Sequence, residues 1–324
     1  MSTAAAVPET WELSGDDAWE TLTTTGRLRL AADAFRRFRA ADGTSHARSM
    51  AFLSIMIVIQ GVVVVLGLAS AIGQGNLTNL IVRTLQSAAP GPAGKLLTQA
   101  VDQAHQAGAS NRSTALILGL VAVLVSGTIL MWQLERGLNR IYGIEQDRPT
   151  ARKYGRAFLL TISAGILFVV AFTALGLGRA ISSSLSGHTA STIWNVARWP
   201  LALGLFIAAI ALLFKWSPRR HQPGWSWLAF GAIVSVALLT IVTAALDVFF
   251  QHSSTFGKTY GPLAGIVALM LWALLASVSL LFGAAIGAQL EAVRAGRPAP
   301  QSAKKVAESE PDVDPQLTVA PTSG

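Results

Sequence analysis

The sequence has no cysteine, which excludes a disulfide framework and any thiolate-based metal site. Charge is also scarce. Asp, Glu, Lys and Arg make up 13% of the 324 residues, where soluble domains carry about 25%. The five histidines, His46, His105, His188, His221 and His252, stand singly, without HxH or HExxH spacing, so a metallohydrolase site has no support. Walker A, GxSxG and GxGxxG patterns are missing too, which removes the commonest routes to ATP use or acyl chemistry. We therefore expect no enzyme, no catalytic residue, no cofactor and no metal. Residues 1–49 are polar with no short apolar core behind a basic start, so a cleavable signal peptide is not expected.

What is present is apolar. The chain is 52% hydrophobic, with a mean hydropathy of +0.50. A bilayer core needs about 20 consecutive apolar residues per helix. Six windows meet that length: 50–72, 113–132, 157–177, 199–216, 227–249 and 263–285. Short alternating segments, the signature of a barrel, are not seen. The expected fold is an all-α integral membrane protein with six transmembrane helices.

The cations sort by loop. Nineteen of the 25 Lys and Arg residues fall on the side shared by the two termini, the 133–156 loop and the 215–226 stretch. The positive-inside rule makes that side cytoplasmic, for both termini. The net charge of +8 then serves topology and contact with anionic lipid. Nucleic acid is not expected as a partner, because the cations are not interleaved with stacking aromatics.

Outside the spans, residues 1–25 and 295–324 read as disordered tails flanking a membrane domain over 26–294. In "GRLRLAADAFRRFRA", residues 26–40, Leu28, Ala31, Phe35 and Phe38 recur at helical spacing, with Arg29, Arg36 and Arg37 on other faces. That predicts an amphipathic helix lying on the inner leaflet. Between spans one and two, residues 73–112 carry two apolar stripes broken by "APGPAG", which predicts an outer helical hairpin.

Polar residues inside spans are few. Asp247, near the outer end of span five, reads either as an interfacial carboxylate or as a functional group. Gln60 and Gln289 are candidates for interhelical hydrogen bonds, and Gly283 and Gly287 form a GxxxG step suited to close packing. The densest charge lies in "WQLERGLNRIYGIEQDRPTARKYGRAF", residues 132–158. Arg136 and Arg140, one turn apart, form a fork suited to a phosphate or carboxylate. Glu135 shares a face with Asn139 and could neutralise one of the arginines. Arg148 opens a second run of such spacing once Pro149 starts the next helix. Charge pairing with topology, and docking of an anionic headgroup, are both open readings of this stretch.

The stretch "ERGLNRIYGIEQDRPTARKYGRAFLL" and the last third of the chain resemble the YihY/virulence factor BrkB family of bacterial inner-membrane proteins, within it the YhjD branch. The motifs are Asn139 and Arg140, Pro218 and Trp227, Tyr260 and Gly261, Trp272, and the segment from Gly283 to Gln289. Span one lacks the proline often found there in the family, and "LDVFFQH" replaces the usual end of span five. The resemblance implies six helices with cytoplasmic termini and a role in envelope integrity or in moving envelope lipid precursors. The old label ribonuclease BN finds no metal-binding cluster here. Two function classes follow. One is a transporter or flippase-like protein for an anionic envelope lipid or solute, with Arg136, Asn139, Arg140, Arg148 and Asp247 as its substrate-binding candidates and Tyr260, Gly261, Trp272, Gly283, Gly287 and Gln289 as packing residues. The alternative is a non-transporting scaffold for envelope biogenesis, with a second copy of the chain or envelope-synthesis enzymes as partners.

Overall fold

A computed structural model of the chain describes residues 3–71, 91–96, 99, 112–146, 148–184, 188–253 and 263–309. These residues are helical almost throughout. The helices are α1 (Gly15–Thr25), α2 (Arg27–Ala40), α3 (Gly43–Ala71), α4 (Arg112–Ile141), α5 (Thr150–Ser184), α6 (His188–Trp216), α7 (Trp225–His252), α8 (Ala264–Arg294) and α9 (Ala303–Ser309). Among the described residues the one β interaction is a single antiparallel bridge between Ala4 and Gln301.

Among the described residues five helices are long and apolar enough to cross a membrane, over Leu116–Ile141, Thr150–Ala171, Thr192–Trp216, Trp225–His252 and Ala264–Arg294. Only 11% to 39% of each apolar window is covered by the protein itself. Large side chains such as Leu118, Val121, Ile166, Val169, Ile241 and Met270 point outward. Water would penalise that surface heavily, whereas lipid matches it. The first expected span lies in α3. Most of the expected outer hairpin, with Tyr260 and Gly261, lies outside the described residues, although residues 92–96 are helical as the stripe there implies.

Neighbouring helices pack in order from α3 to α8, and α8 closes the series by packing on α3. It also meets α1, α2 and α4, so α8 is the helix the others are built around. Small residues make this approach close. At Gly283 an added Cβ would fall 2.7 Å from the Gly231 carbonyl oxygen and 2.9 Å from the Ser235 nitrogen, so α7 and α8 touch backbone to backbone there. Ser235 Oγ donates across the contact to the Leu280 carbonyl at 3.3 Å. Nearer the other end of the pair, Trp272 Nε1 donates to Thr243 Oγ1 at 3.1 Å. Gly287, one turn on, has nothing within 4 Å of its Cβ direction. The GxxxG step thus packs through its first glycine only.

The tight core lies at one end. It joins Leu134, Leu138 and Ile141 of α4, Leu160 of α5, Leu213 and Phe214 of α6, Trp227 and Leu228 of α7, Leu281 and Leu290 of α8, and Phe38 of α2. Trp227 is only 2% exposed, so it is a core residue there rather than an interfacial one. This is the end where helices leave their apolar windows and loops meet water, so burial here gains about 1.5–3 kcal/mol per large side chain. Helix pairs within lipid lack that driving force.

Two helices stop at this end with the same cap. After α4, Gly143 has φ 73°, its N–H donates to the Arg140 carbonyl and the Ile144 N–H reaches back to Asn139. After α8, Gly296 has φ 70°, with Gly296 bonded to Val293 and Arg297 to Ala292. Glycine takes this left-handed conformation without the Cβ penalty, and the paired bonds satisfy terminal carbonyls.

The N-terminal tail differs from the disordered expectation. Residues 3–10 run extended across the core end. Thr3 N–H bonds the Ala40 carbonyl, Ala5 N–H the Pro300 carbonyl and Val7 N–H the Tyr142 carbonyl, while Ser302 N–H returns to Thr3. Ala4 is fully buried there. Small apolar side chains let this segment lie flat where backbone groups can be satisfied.

Candidate functional site at the basic end

The helix ends that form the core also gather the cations. Helix α2 shows how. Its inward face carries Leu30, Ala34, Arg37 and Phe38, and Phe38 meets the Phe282 ring edge-on at 6.1 Å. The outward face carries Leu28, Ala31 and Phe35, with Leu28 90% exposed. The sequence stripe therefore divides: Leu28, Ala31 and Phe35 face away, and Phe38 turns in.

Arg37 is fully buried, whereas its charge and its place off the Leu28–Phe35 stripe predict a headgroup-facing residue. Its guanidinium donates to Gln289 Oε1 at 2.8 Å, and to the carbonyls of Ala5 at 2.8 Å, Ile141 at 3.2 Å and Ala299 at 3.3 Å. Gln289 in turn donates from Nε2 to the Pro298 carbonyl at 2.6 Å. One planar fork thus ties α2, α4, α8 and both terminal segments together, a geometry that lysine's single ammonium cannot copy. Loss of hydration lowers the Arg37 pKa to about 10.

A second buried cation lies alongside. Arg220 pairs with Glu291 at 2.5 Å, donates to the Pro8 carbonyl at 2.9 Å and covers the Tyr142 ring at 4.6 Å. Thr10 Oγ1 donates to the same Glu291 oxygen. Burial pushes the Tyr142 phenol well above its ordinary range.

The third cluster comes from the 132–158 stretch. Glu135 lies on α4, at the edge of this stretch. It pairs with Arg148 at 2.5 Å, and Arg148 also donates to the carbonyls of Ser217 at 2.9 Å and Pro218 at 2.7 Å. Asn139, fully buried, accepts the Arg219 backbone N–H at 2.8 Å. Arg156 Nε donates to the Trp216 carbonyl at 2.6 Å. These bonds lock the loop after α4 onto the loop after α6. Arg140 closes its own helix end by donating to the Ile144 carbonyl at 3.1 Å. Arg136 instead lies against the Trp132 ring at 5.3 Å, so the expected two-arginine fork is split between different partners.

Asp247 is not part of this assembly. It sits 22 residues beyond the start of α7, roughly 33 Å along the axis. Its carboxylate accepts Gln251 Nε2 at 2.7 Å.

Sequence reasoning missed Arg37, Glu291 and Arg220. Arg37 could have been found, because it falls on the Leu30–Ala34–Phe38 face. Glu291 lies two residues past Gln289 in the last apolar helix. The three groups do not share a motif, since 71 residues separate Arg220 from Glu291. Among the described residues no group of His, Asp and Glu is arranged to hold a metal ion.

A family model described as virulence factor BrkB matches residues 34–308. The chain is 22% identical over 262 residues to a ribonuclease-like protein, YfkH, of Bacillus subtilis, a match covering 79% of this chain and 93% of that one. It is 26% identical over 280 residues to a UPF0761 membrane protein of Methylibium petroleiphilum, covering 83% of this chain but 62% of that relative. A UPF0761 membrane protein of Stenotrophomonas maltophilia matches at 25% over 183 residues, 41% of its length. The chain thus spans less than two thirds of these UPF0761 relatives. No solved structure matches. With helices of span length, outward apolar faces and a family match over most of its length, the chain belongs to the virulence factor BrkB family of membrane proteins.

Proposed function

We propose that this protein is a six-span, multi-pass protein of the bacterial inner membrane, with both termini cytoplasmic, acting as a transporter or flippase-like protein for an anionic envelope lipid or solute. The observation that carries the reading is the buried ionic layer at the basic end. Glu135 of α4 and Glu291 of α8 lie inside helices of span length, are 2% and 0% exposed, and each holds an arginine from a loop. Ionisable groups buried in protein are costly, and a buried pair kept at the mouth of a helix bundle fits a pathway that opens there. Two pairs that must part before the helix ring opens at that end have the form of a gate. The cation distribution supports the orientation. Helix α2 fits the inner leaflet, with Leu28 and Phe35 outward. The word ribonuclease belongs to the name of YfkH, and we propose no catalytic role here.

One observation favours a second reading, a non-transporting scaffold. Both terminal segments are sewn over the basic end by Arg37 and Gln289, which suits a fixed platform as well as a closed gate. Mass spectrometry of lipids and small anions retained by the full chain in native nanodiscs separates the two. Enrichment of one anionic envelope lipid over the bulk membrane supports the transporter reading. A profile identical to the bulk refutes it and leaves the scaffold.

A further inference from the structure

Several cations at the basic end take no part in its ion pairs, and two of them share one aromatic neighbour. Among the described residues, neither Arg136 nor Lys153 has an acidic partner within salt-bridge distance. Both rest on one indole. Lys153 Nζ lies 4.1 Å from the Trp132 ring centroid and 5.0 Å from that of Tyr154, and the Arg136 guanidinium lies 5.3 Å from Trp132. The Trp132 and Tyr154 rings stand 6.2 Å apart, so the cluster spans α4 and α5. Within it, Trp132 Nε1 and Arg136 Nε are buried donors with no hydrogen-bond partner among the described residues. Asn139 Nδ2, one turn further along α4, is a third, on a side chain with no exposed surface. Buried donors are nearly always satisfied, and here they stand beside two uncompensated positive charges.

The surface leading away from the cluster is apolar on both helices. Val125 and Ile129 of α4 and Phe158, Ile162 and Ile166 of α5 are exposed, and each set follows one helical face. The helices come together at Gly127, where an added Cβ would lie 2.5 Å from Thr161 Cγ2. That contact is five residues, about 7.5 Å, from Trp132.

We infer that the α4–α5 seam binds one anionic phospholipid, its phosphodiester held by Lys153 and Arg136, its acyl chains along the outward faces of the two helices. The charge selects an anionic headgroup over a zwitterionic one, because a choline ammonium would meet two like charges. Continuity with the apolar faces selects a lipid over free phosphate. This deepens the function proposed above by naming a headgroup site. A lipid held here need not be moved, so loss of binding and loss of transport register in different assays.

The test uses the full chain in a neutral detergent, titrated with short-chain phosphatidylglycerol, short-chain phosphatidylcholine and inorganic phosphate, with bound molecules counted by native mass spectrometry. One phosphatidylglycerol should bind in preference to phosphatidylcholine, and millimolar phosphate should not displace it. Arg136→Gln and Lys153→Gln should each weaken it about tenfold, whereas Arg152→Gln, at an exposed neighbouring cation, should not. Equal binding of the two lipids, equal loss in all three variants, no loss in any, or displacement by phosphate would each overturn the proposal. Lys153 is outside the packed core, so Lys153→Gln keeps the comparison in force where Arg136→Gln fails to fold.

Discussion

Gly283→Ala is the sharpest perturbation of the packing. The added methyl would overlap Ser235 Oγ and approach two backbone atoms of α7, the Gly231 oxygen at 2.7 Å and the Ser235 nitrogen at 2.9 Å. Ser235 could rotate away only by giving up its bonds to the Gly231 and Leu280 carbonyls, and the backbone atoms cannot rotate at all. The helices must therefore separate by several tenths of an ångström. Such overpacking costs about 1–3 kcal/mol, and the backbone contact here puts it at the upper part of that range. Alanine's better helix propensity returns up to about 1 kcal/mol. The same propensity gain acts alone at Gly287, where the methyl meets nothing within 4 Å. The two variants should thus differ by about 2–3 kcal/mol, with opposite signs relative to wild type. Fluorescence-detected size-exclusion after heating measures this in detergent, and about 2–4 °C per kcal/mol is expected for a chain of this size. Shifts of the same sign and size would refute the close crossing of α7 and α8.

Three further outcomes follow from the basic end. Arg37→Met should free both terminal segments, because four acceptors lose one donor group. We expect a loss of about 3 kcal/mol or more and rapid proteolysis near residue 10, with Arg37→Lys rescuing little. Tyr142 supplies a pH dependence. Its folded pKa lies above its unfolded value, so its contribution is complete below pH ~10 and is lost as pH rises beyond it, while the unfolded phenol ionises first. Thermal scans between pH 9 and 11.5 should fall more steeply for wild type than for Tyr142→Phe, and parallel curves would contradict the burial. The absence of native cysteine allows single-cysteine topology mapping. Cysteines at Thr23 and Arg152 should react with an impermeant maleimide only from the cytoplasmic side, and labelling from the periplasm would reverse the orientation.

The helices were legible because span length and apolar composition are local properties, and the gathering of cations at one end of the helices followed from counting. Pro149 before α5 and the glycine caps are also local signals. Pairings were harder. Glu135 shares a helix with Arg136 and Arg140, so spacing suggested them as partners, yet Arg148 reaches it from across the loop. Arg37 carries a charge that suggests solvent, while its position on the Leu30 face places it in the core. Burial wins because carbonyls from three separate segments converge on it. Nothing in residues 3–10 announces an ordered strap, since its order comes from partners as distant as Pro300. Asp247 is a rare charge in an apolar window, yet it bonds Gln251 of its own helix and lies far along α7 from the basic end.

We propose a lipid or anion pathway gated at the basic end by Glu135–Arg148 and Glu291–Arg220. Its most direct measurement is the rate at which headgroup-labelled phosphatidylglycerol crosses the bilayer of proteoliposomes carrying the full chain, read by quenching of outward-facing label. We predict faster movement than in protein-free vesicles, and a changed rate in Glu291→Gln, where the neutral amide weakens the pair with Arg220. Movement indistinguishable from protein-free vesicles, in wild type and variant alike, across phosphatidylglycerol and the lipid found in native nanodiscs, would contradict the account.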